Sequence, residues 1–219
     1  MPIDLSFQDT IALVHLGDDE NRFSPEFLEQ FDAQLDDAMS LGAHGLVTVA
    51  TGKFYSNGLD LDWLAANGEA TQWYVGRVQA LLAKILTLPV PTAAAIGGHA
   101  FGAAAMLALA HDFRVMRADR GYFCFPEVDI RIPFTPGMAA LIQAKLTPQA
   151  AVAAMTTGRR FGGADAAAIG IVDATAAEDA VTGTALNMLA PLGAKDPGTL
   201  GAIKNTMFAT AVAALRSVS

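Results

Sequence analysis

The chain has 219 residues, 53% of them hydrophobic and 16% charged, with 14 Lys and Arg set against 22 Asp and Glu for a formal charge of −8. That length and apolar content support one compact core and exclude a disordered chain, and an acidic balance without a basic run argues against nucleic acid as a partner. The single Cys124 excludes an intrachain disulfide and a Cys/His zinc cluster. No apolar run reaches the roughly 18 residues of a membrane span, and the N-terminus shows no basic and apolar leader, so a cytoplasmic protein with no membrane insertion and no metal is expected.

In chain order, short β-rich runs alternate with amphipathic helical ones. Ile11 to Leu16 reads as a strand, and Ser24-Pro25-Glu26 opens a helix to about Leu41, with a capping hydroxyl and a Pro at its first position. Gly45 to Thr51 is a strand whose near-continuous apolarity suits a sheet covered on both faces. A loop, Gly52 to Gly58, leads to a short helix from Asp60 and a longer one over Thr71 to Leu86. Pro91 to Ile96 is a third strand, running through a glycine turn into an Ala-rich helix, and Phe113 to Arg117 is a fourth. Beyond residue 135 the pattern is helical, over Pro136 to Lys145, Pro148 to Thr156, Gly163 to Ala168 and then to the end, broken only by Ile171 to Thr175. The order implies an α/β core over residues 1–175 and a helical C-terminal segment over 176–219 that serves packing or oligomerisation.

Two strand ends run into glycine turns that precede helices, at Asn57-Gly58-Leu59-Asp60 and at Gly98 to Ala104. The start of a helix leaves backbone N–H groups free, and two such turns on neighbouring parallel strands can aim two donors at one oxygen. Dinucleotide, Walker and GxSxG signatures are absent. Downstream, the apolar stretch Tyr122 to Phe134 carries Glu127 in its middle. A Glu directly after Pro either opens a helix, where it complements the macrodipole, or sits desolvated with a raised pKa suited to moving protons near neutral pH.

Four ordered motifs, Phe54 to Asp60, Pro91 to Gly102, Phe125 to Ile130 and Thr157 to Asp173, resemble the enoyl-CoA hydratase/isomerase family. The resemblance spans roughly residues 8 to 175. It implies the crotonase-like fold, with repeated β-β-α units forming a spiral core and a helical C-terminal part, and an acyl-CoA thioester as substrate. Coenzyme A is then part of the substrate and no separate cofactor is implied. By the same resemblance the backbone N–H groups of Leu59 and Ala103 form the oxyanion hole, with Ser56, Asn57, Gly58, His99, Gly102, Met106 and Asp129 as flanking substrate contacts. Lys53 and Lys204 resemble positions that meet coenzyme A phosphates, Lys204 from a neighbouring subunit. The family assembles as trimers and dimers of trimers, so a homotrimer or a dimer of trimers is expected.

Family hydratases carry two acidic residues, of which only that of Pro126-Glu127 is kept here, because the other position falls on Met106. Water addition is well served by two facing carboxylates, whereas one carboxylate suffices to take a proton from carbon 2 of a 3-enoyl thioester and return it at carbon 4. The pattern therefore favours an enoyl-CoA isomerase with Glu127 as proton shuttle. The alternatives are an enoyl-CoA hydratase, a thioesterase or decarboxylase on the same oxyanion hole, and an acyl-CoA-binding protein without turnover. Asp60 reads as a helix cap. Apolar residues between Trp63 and Leu86 suggest the acyl pocket.

Overall fold

The structure, a computed structural model, describes residues 3–217. Strand β1 (Asp4–Gln8) pairs antiparallel with β2 (Ile11–His15), and α1 (Pro25–Ser40) follows, its first turn capped by the Ser24 hydroxyl, which accepts from the Phe27 N–H at 3.2 Å. The chain then repeats one path three times. Strand β3 (Gly45–Val49) leads to β4 (Phe54–Ser56) and the helices α2 (Leu61–Ala66) and α3 (Thr71–Leu86). Next, β5 (Thr92–Ile96) leads to β6 (His99–Phe101) and α4 (Ala103–Ala110), and β7 (Phe113–Arg117) leads to β8 (Phe123–Cys124) and α5 (Glu127–Ile130).

The first strand of each unit enters a six-stranded sheet of order β1-β2-β3-β5-β7-β9, where β9 is Ala174–Ala176 and every pairing after the hairpin is parallel. The second strands form their own parallel sheet, β4-β6-β8. This is the spiral of β-β-α units expected from the motifs. The segments read as a loop over residues 52–58 and a bare glycine turn after Ile96 thus each hold a strand of three residues. Runs so short, bounded by glycine, carry no detectable alternation.

Each strand β3 and β5 is buried along its whole length, because both faces of the large sheet are covered. On one face lie α1, α3 and α4 with α6 (Pro136–Lys145), and the main core is built there from Phe23, Phe31, Leu35, Leu82 and the whole of α4. After α7 (Pro148–Thr157) and α8 (Gly163–Ala168), α9 (Val181–Leu189) covers the other face, setting Val181, Ala185, Leu186 and Leu189 against Ile11, Val47, Ala93 and Val115. Helices α10 (Pro197–Met207) and α11 (Ala209–Arg216) close the chain, and α11 packs on α3 and α6. The apolar face of α3, with Tyr74, Val78, Leu82 and Ile85, belongs to this core, so it does not form the acyl pocket expected between Trp63 and Leu86.

The C-terminal ends of β4, β6 and β8 emerge side by side. That places the turns after Ser56, Phe101 and Cys124 at one edge of the small sheet.

Candidate active site

The first turn is held by hydrogen bonds that account for its amides one by one. The N–H of Asn57 donates to the Glu20 carbonyl at 2.8 Å, that of Gly58 to the Ser56 hydroxyl at 3.1 Å, and that of Asp60 to the Tyr74 hydroxyl at 2.9 Å. No protein acceptor is found among the described residues for the N–H between them, that of Leu59. Its direction follows from its partner atom. In a planar trans peptide C=O and N–H point opposite ways, and the Gly58 carbonyl is drawn inward by the Phe23 N–H at 2.8 Å. The Leu59 N–H of that same peptide unit is therefore turned away from Phe23.

The second turn uses the start of a helix. Gly102, with φ +54°, is the N-cap of α4 and offers no side chain to cap it, so the first N–H groups of the helix stay free. The Gly102 carbonyl accepts from the Met106 N–H at 3.1 Å, which points the Ala103 N–H of the same peptide unit outward along the helix axis. The two turns touch. A Cβ on Gly58, whose φ is +79°, would lie 2.5 Å from the Phe101 carbonyl oxygen and 3.1 Å from the Ala103 nitrogen, so only glycine allows this approach.

Glu127 completes the set. It is the first residue of α5, so the helix-opening reading of the Pro-Glu pair holds, and yet its side chain is buried at 8% exposure. Its Oε2 has no hydrogen-bond partner, and a Cβ on Gly102 would come within 3.4 Å of its Oε1. Burial pushes the carboxyl up to about 7, opposed only by its own backbone N–H. Helix opening and proton affinity are thus properties of one residue rather than alternatives.

A cleft of about 300 Å³ joins these pieces, lined by Asn57, Leu59, Gly102, Ala103 and Glu127, with apolar walls from Leu61, Phe101, Pro126, Ile130 and Ile132. Leu61, Ile130 and Ile132 are partly exposed at 41%, 46% and 37%, which suits a wall that an apolar ligand would cover. These wall residues escaped the sequence reading, although Ile130 and Ile132 lie in the apolar run that drew attention to Glu127. Arg22 and Asp62 stand at the rim, joined at 2.5 Å, and Arg22 also meets Glu20 and Asp60. The cleft therefore has a second carboxylate, but the Asp62 side chain is 89% exposed and ion-paired, unlike Glu127.

The remaining expected residues divide. Ser56 is fully buried and braces the first turn by donating to the Asn21 carbonyl, a supporting position rather than a contact surface. Met106 is buried in the main core and brings no proton-carrying group to the cleft. His99 packs among the rings of Phe54, Phe101 and Tyr122, with Lys53 over the Phe54 ring, and neither His99 nor Lys53 lines the cleft. Asp129 does not line the cleft but lies at the end of α7, so close to Gly158 that a Cβ there would collide with its carboxylate. Lys204, expected to meet a phosphate, is instead buried with its ammonium on the Asp112 carboxylate at 2.5 Å and the Val90 carbonyl at 2.8 Å. Asp60 does cap α2, accepting from the Trp63 N–H at 3.1 Å. Among the described residues no group of three or more His, Cys, Asp or Glu is placed to hold a metal ion, and no helix is long and apolar enough to cross a membrane.

Comparison with known proteins places this geometry in context. The profile of the enoyl-CoA hydratase/isomerase family matches residues 6–218. The peroxisomal enoyl-CoA delta isomerase 2 of Arabidopsis thaliana is 36% identical over 198 residues, covering 85% of this chain and 82% of that protein. The peroxisomal enoyl-CoA delta isomerase 1 of the same plant is 33% identical over 174 residues, covering 77% and 72%. A solved structure of a probable enoyl-CoA hydratase from Mycobacterium tuberculosis superimposes with a TM-score of 0.92 at 24% identity, covering 100% of this chain and 93% of that one, and so shares the fold. These relatives favour isomerase over hydratase. The peroxisomal names also overturn the cytoplasmic expectation and point to the peroxisome. Cysteine use and hydropathy report redox state and solubility, which two such compartments can share. With the profile covering nearly all of its length and such relatives at a third or more identity, the chain belongs to the enoyl-CoA hydratase/isomerase family.

Proposed function

We propose that the chain is an enoyl-CoA isomerase that moves the double bond of a 3-enoyl-CoA into conjugation with the thioester. The single observation that supports this reading is a buried carboxylate with one oxygen unpartnered, that of Glu127, in a cleft also lined by Leu59 and Ala103, whose backbone N–H groups have no protein acceptor among the described residues. The thioester oxygen sits between the two donors. Glu127 takes a proton from carbon 2, and the electron pair flows into the carbonyl to give a dienolate whose oxyanion the donors hold. The same carboxyl then gives the proton to carbon 4, the double bond comes to rest between carbons 2 and 3, and the enzyme is regenerated. Each donor is worth roughly 3 kcal/mol to such an oxyanion. A carboxyl with a pKa of about 7 is suited to both halves of the shuttle, since it is ionised enough to accept and acidic enough to return.

Hydration would need a second acid at the reacting carbons. Met106 supplies none, and Asp62 is exposed and held by Arg22 at the rim. The acyl tail runs along Leu61, Ile130 and Ile132, while Lys53, exposed just before β4, is the cation for the phosphates of coenzyme A. Helices α9 and α11 complete the core of their own chain, so subunit packing in a homotrimer falls to the outer faces of the C-terminal helices.

The test is a panel of enoyl-CoA substrates. Purified protein should convert 3-enoyl-CoA to the conjugated 2-enoyl-CoA, and Glu127→Gln should lose about 100-fold or more in kcat. Unchanged turnover in that variant would sink the assignment of the base. Water addition to crotonyl-CoA at an ordinary enzymatic rate would show that Met106 is no obstacle and favour the hydratase.

A further inference from the structure

Tyr74 lies on α3, outside the cleft, yet its hydroxyl bridges the two chain segments that orient the first donor. The residue is completely buried, and its ring packs on Trp63 with centroids 5.2 Å apart. Burial raises the phenol to about 12, so it stays protonated and donates to the Phe23 carbonyl at 2.8 Å. Its oxygen accepts from the Asp60 N–H at 2.9 Å. Phe23 is the residue whose N–H draws in the Gly58 carbonyl and so turns the Leu59 N–H outward, and Asp60 is the residue that follows Leu59. Phe23 and Leu59 form a parallel bridge. A phenol hydroxyl set between the Phe23 carbonyl and the Asp60 N–H ties both sides of that bridge to a helix of the main core.

We propose that the Tyr74 hydroxyl is a positioning group for the oxyanion hole: by fixing Phe23 and Asp60 together it sets the angle of the peptide unit that carries the Leu59 N–H. The inference rests on the reading of Leu59 as an oxyanion donor but not on which reaction follows. Without the hydroxyl, the Asp60 N–H loses this acceptor and the Phe23 carbonyl this donor, and the bridge is no longer tied to α3. The Leu59 peptide is then free to turn, and a donor off its line loses much of its worth in the transition state while ground-state contacts persist. The ring itself supplies the apolar packing, so Tyr74→Phe keeps the core filled.

The experiment compares Tyr74→Phe with Tyr55→Phe, which removes an equally buried hydroxyl bonded to Thr48 rather than to the turn. For each, kcat and KM on 3-enoyl-CoA, the melting temperature, and the enolate absorbance of a bound 3-oxoacyl-CoA are measured. The last reads donor alignment directly, because a bound enolate carries the oxyanion, and it does so without turnover. Tyr74→Phe is expected to lose about tenfold in kcat with KM within about twofold, and to bind the enolate about tenfold more weakly while saturated acyl-CoA binds as before. Tyr55→Phe is expected to change the melting temperature alone. Equal losses in the two variants, or a Tyr74→Phe that holds the enolate as well as the parent, would overturn the proposal. A parent that holds the enolate but converts no 3-enoyl-CoA would refute the isomerase reading, and the enolate comparison would still decide the role of Tyr74.

Discussion

Two of the regions that bury charged side chains treat them in opposite ways. Where β5 and β7 begin, Asp112 meets the Lys204 ammonium, Arg114 meets Asp173 at 2.8 Å, and Lys145 donates to the His111 carbonyl at 2.8 Å, so each buried charge has a partner. Next to it the buried imidazole of His111 is held neutral, its pKa lowered to about 4 by desolvation, and it joins Thr48 and Tyr55 in a chain of hydrogen bonds. At the ends of β4, β6 and β8, by contrast, Glu127 is buried with one oxygen unpartnered. A desolvated carboxylate with one oxygen lacking a donor is costly. The pairing in the first region serves the fold, and its lack in the second leaves a group ready to bind a proton.

The contrast can be broken most forcefully at the paired end. Asp112→Asn leaves the Lys204 ammonium buried without its counter-charge and should cost about 3–5 kcal/mol, a fall of about 10 °C in melting temperature, with kcat unchanged. Thermal melts with parallel assays check this. At the other end, removing charge should stabilise. The Glu127 carboxyl is raised from 4.5 to about 7, so the folded state favours its protonated form. Its contribution is full below pH 4.5 and is lost as pH rises toward 7. Glu127→Gln should therefore match the parent near pH 4 and exceed it by up to about 3 kcal/mol at pH 8 in denaturant titrations. A constant difference across that range would contradict the raised pKa.

Smaller effects test the geometry. Gly102→Ala adds a Cβ 3.4 Å from the Glu127 Oε1 at a φ of +54° and should cost about 1–3 kcal/mol together with a loss of kcat. Leu59→Ala should do least, changing kcat by less than about threefold, because the proposed donor is the backbone. If it harmed turnover as much as Glu127→Gln, the side chain and not the N–H would be what matters at that position.

Much of this was legible in the sequence because it was written in residue types. Ser24-Pro25, the runs of β3 and β5, the Ala-rich α4 and the Pro-Glu pair each carry a local signal that the structure repeats. The short strands β4, β6 and β8 carry none, since two or three residues cannot show a period and their pairing is wholly non-local. Hydrophobicity also misled. The apolar face of α3 looked like a ligand wall, yet apolar periodicity reports burial without saying whether core or ligand does the burying. Lys204 failed for a similar reason, since a lysine in sequence does not show the aspartate 92 residues away that engages it. Nor does the sequence show that Asp129 folds back on Gly158.

The inward pull on the Gly58 carbonyl has a consequence for descent as well as for chemistry. Because a trans peptide carries acceptor and donor back to back, the donors proposed for the thioester oxygen belong to the main chain, and every residue but proline supplies such a group. Heritable variation can then reshape the walls of the cleft at Leu61, Ile130 or Ile132 without deleting a donor. Under the proposed function the walls can change while the main-chain donors remain, and the position that admits no side chain is Gly58, buried and at a positive φ.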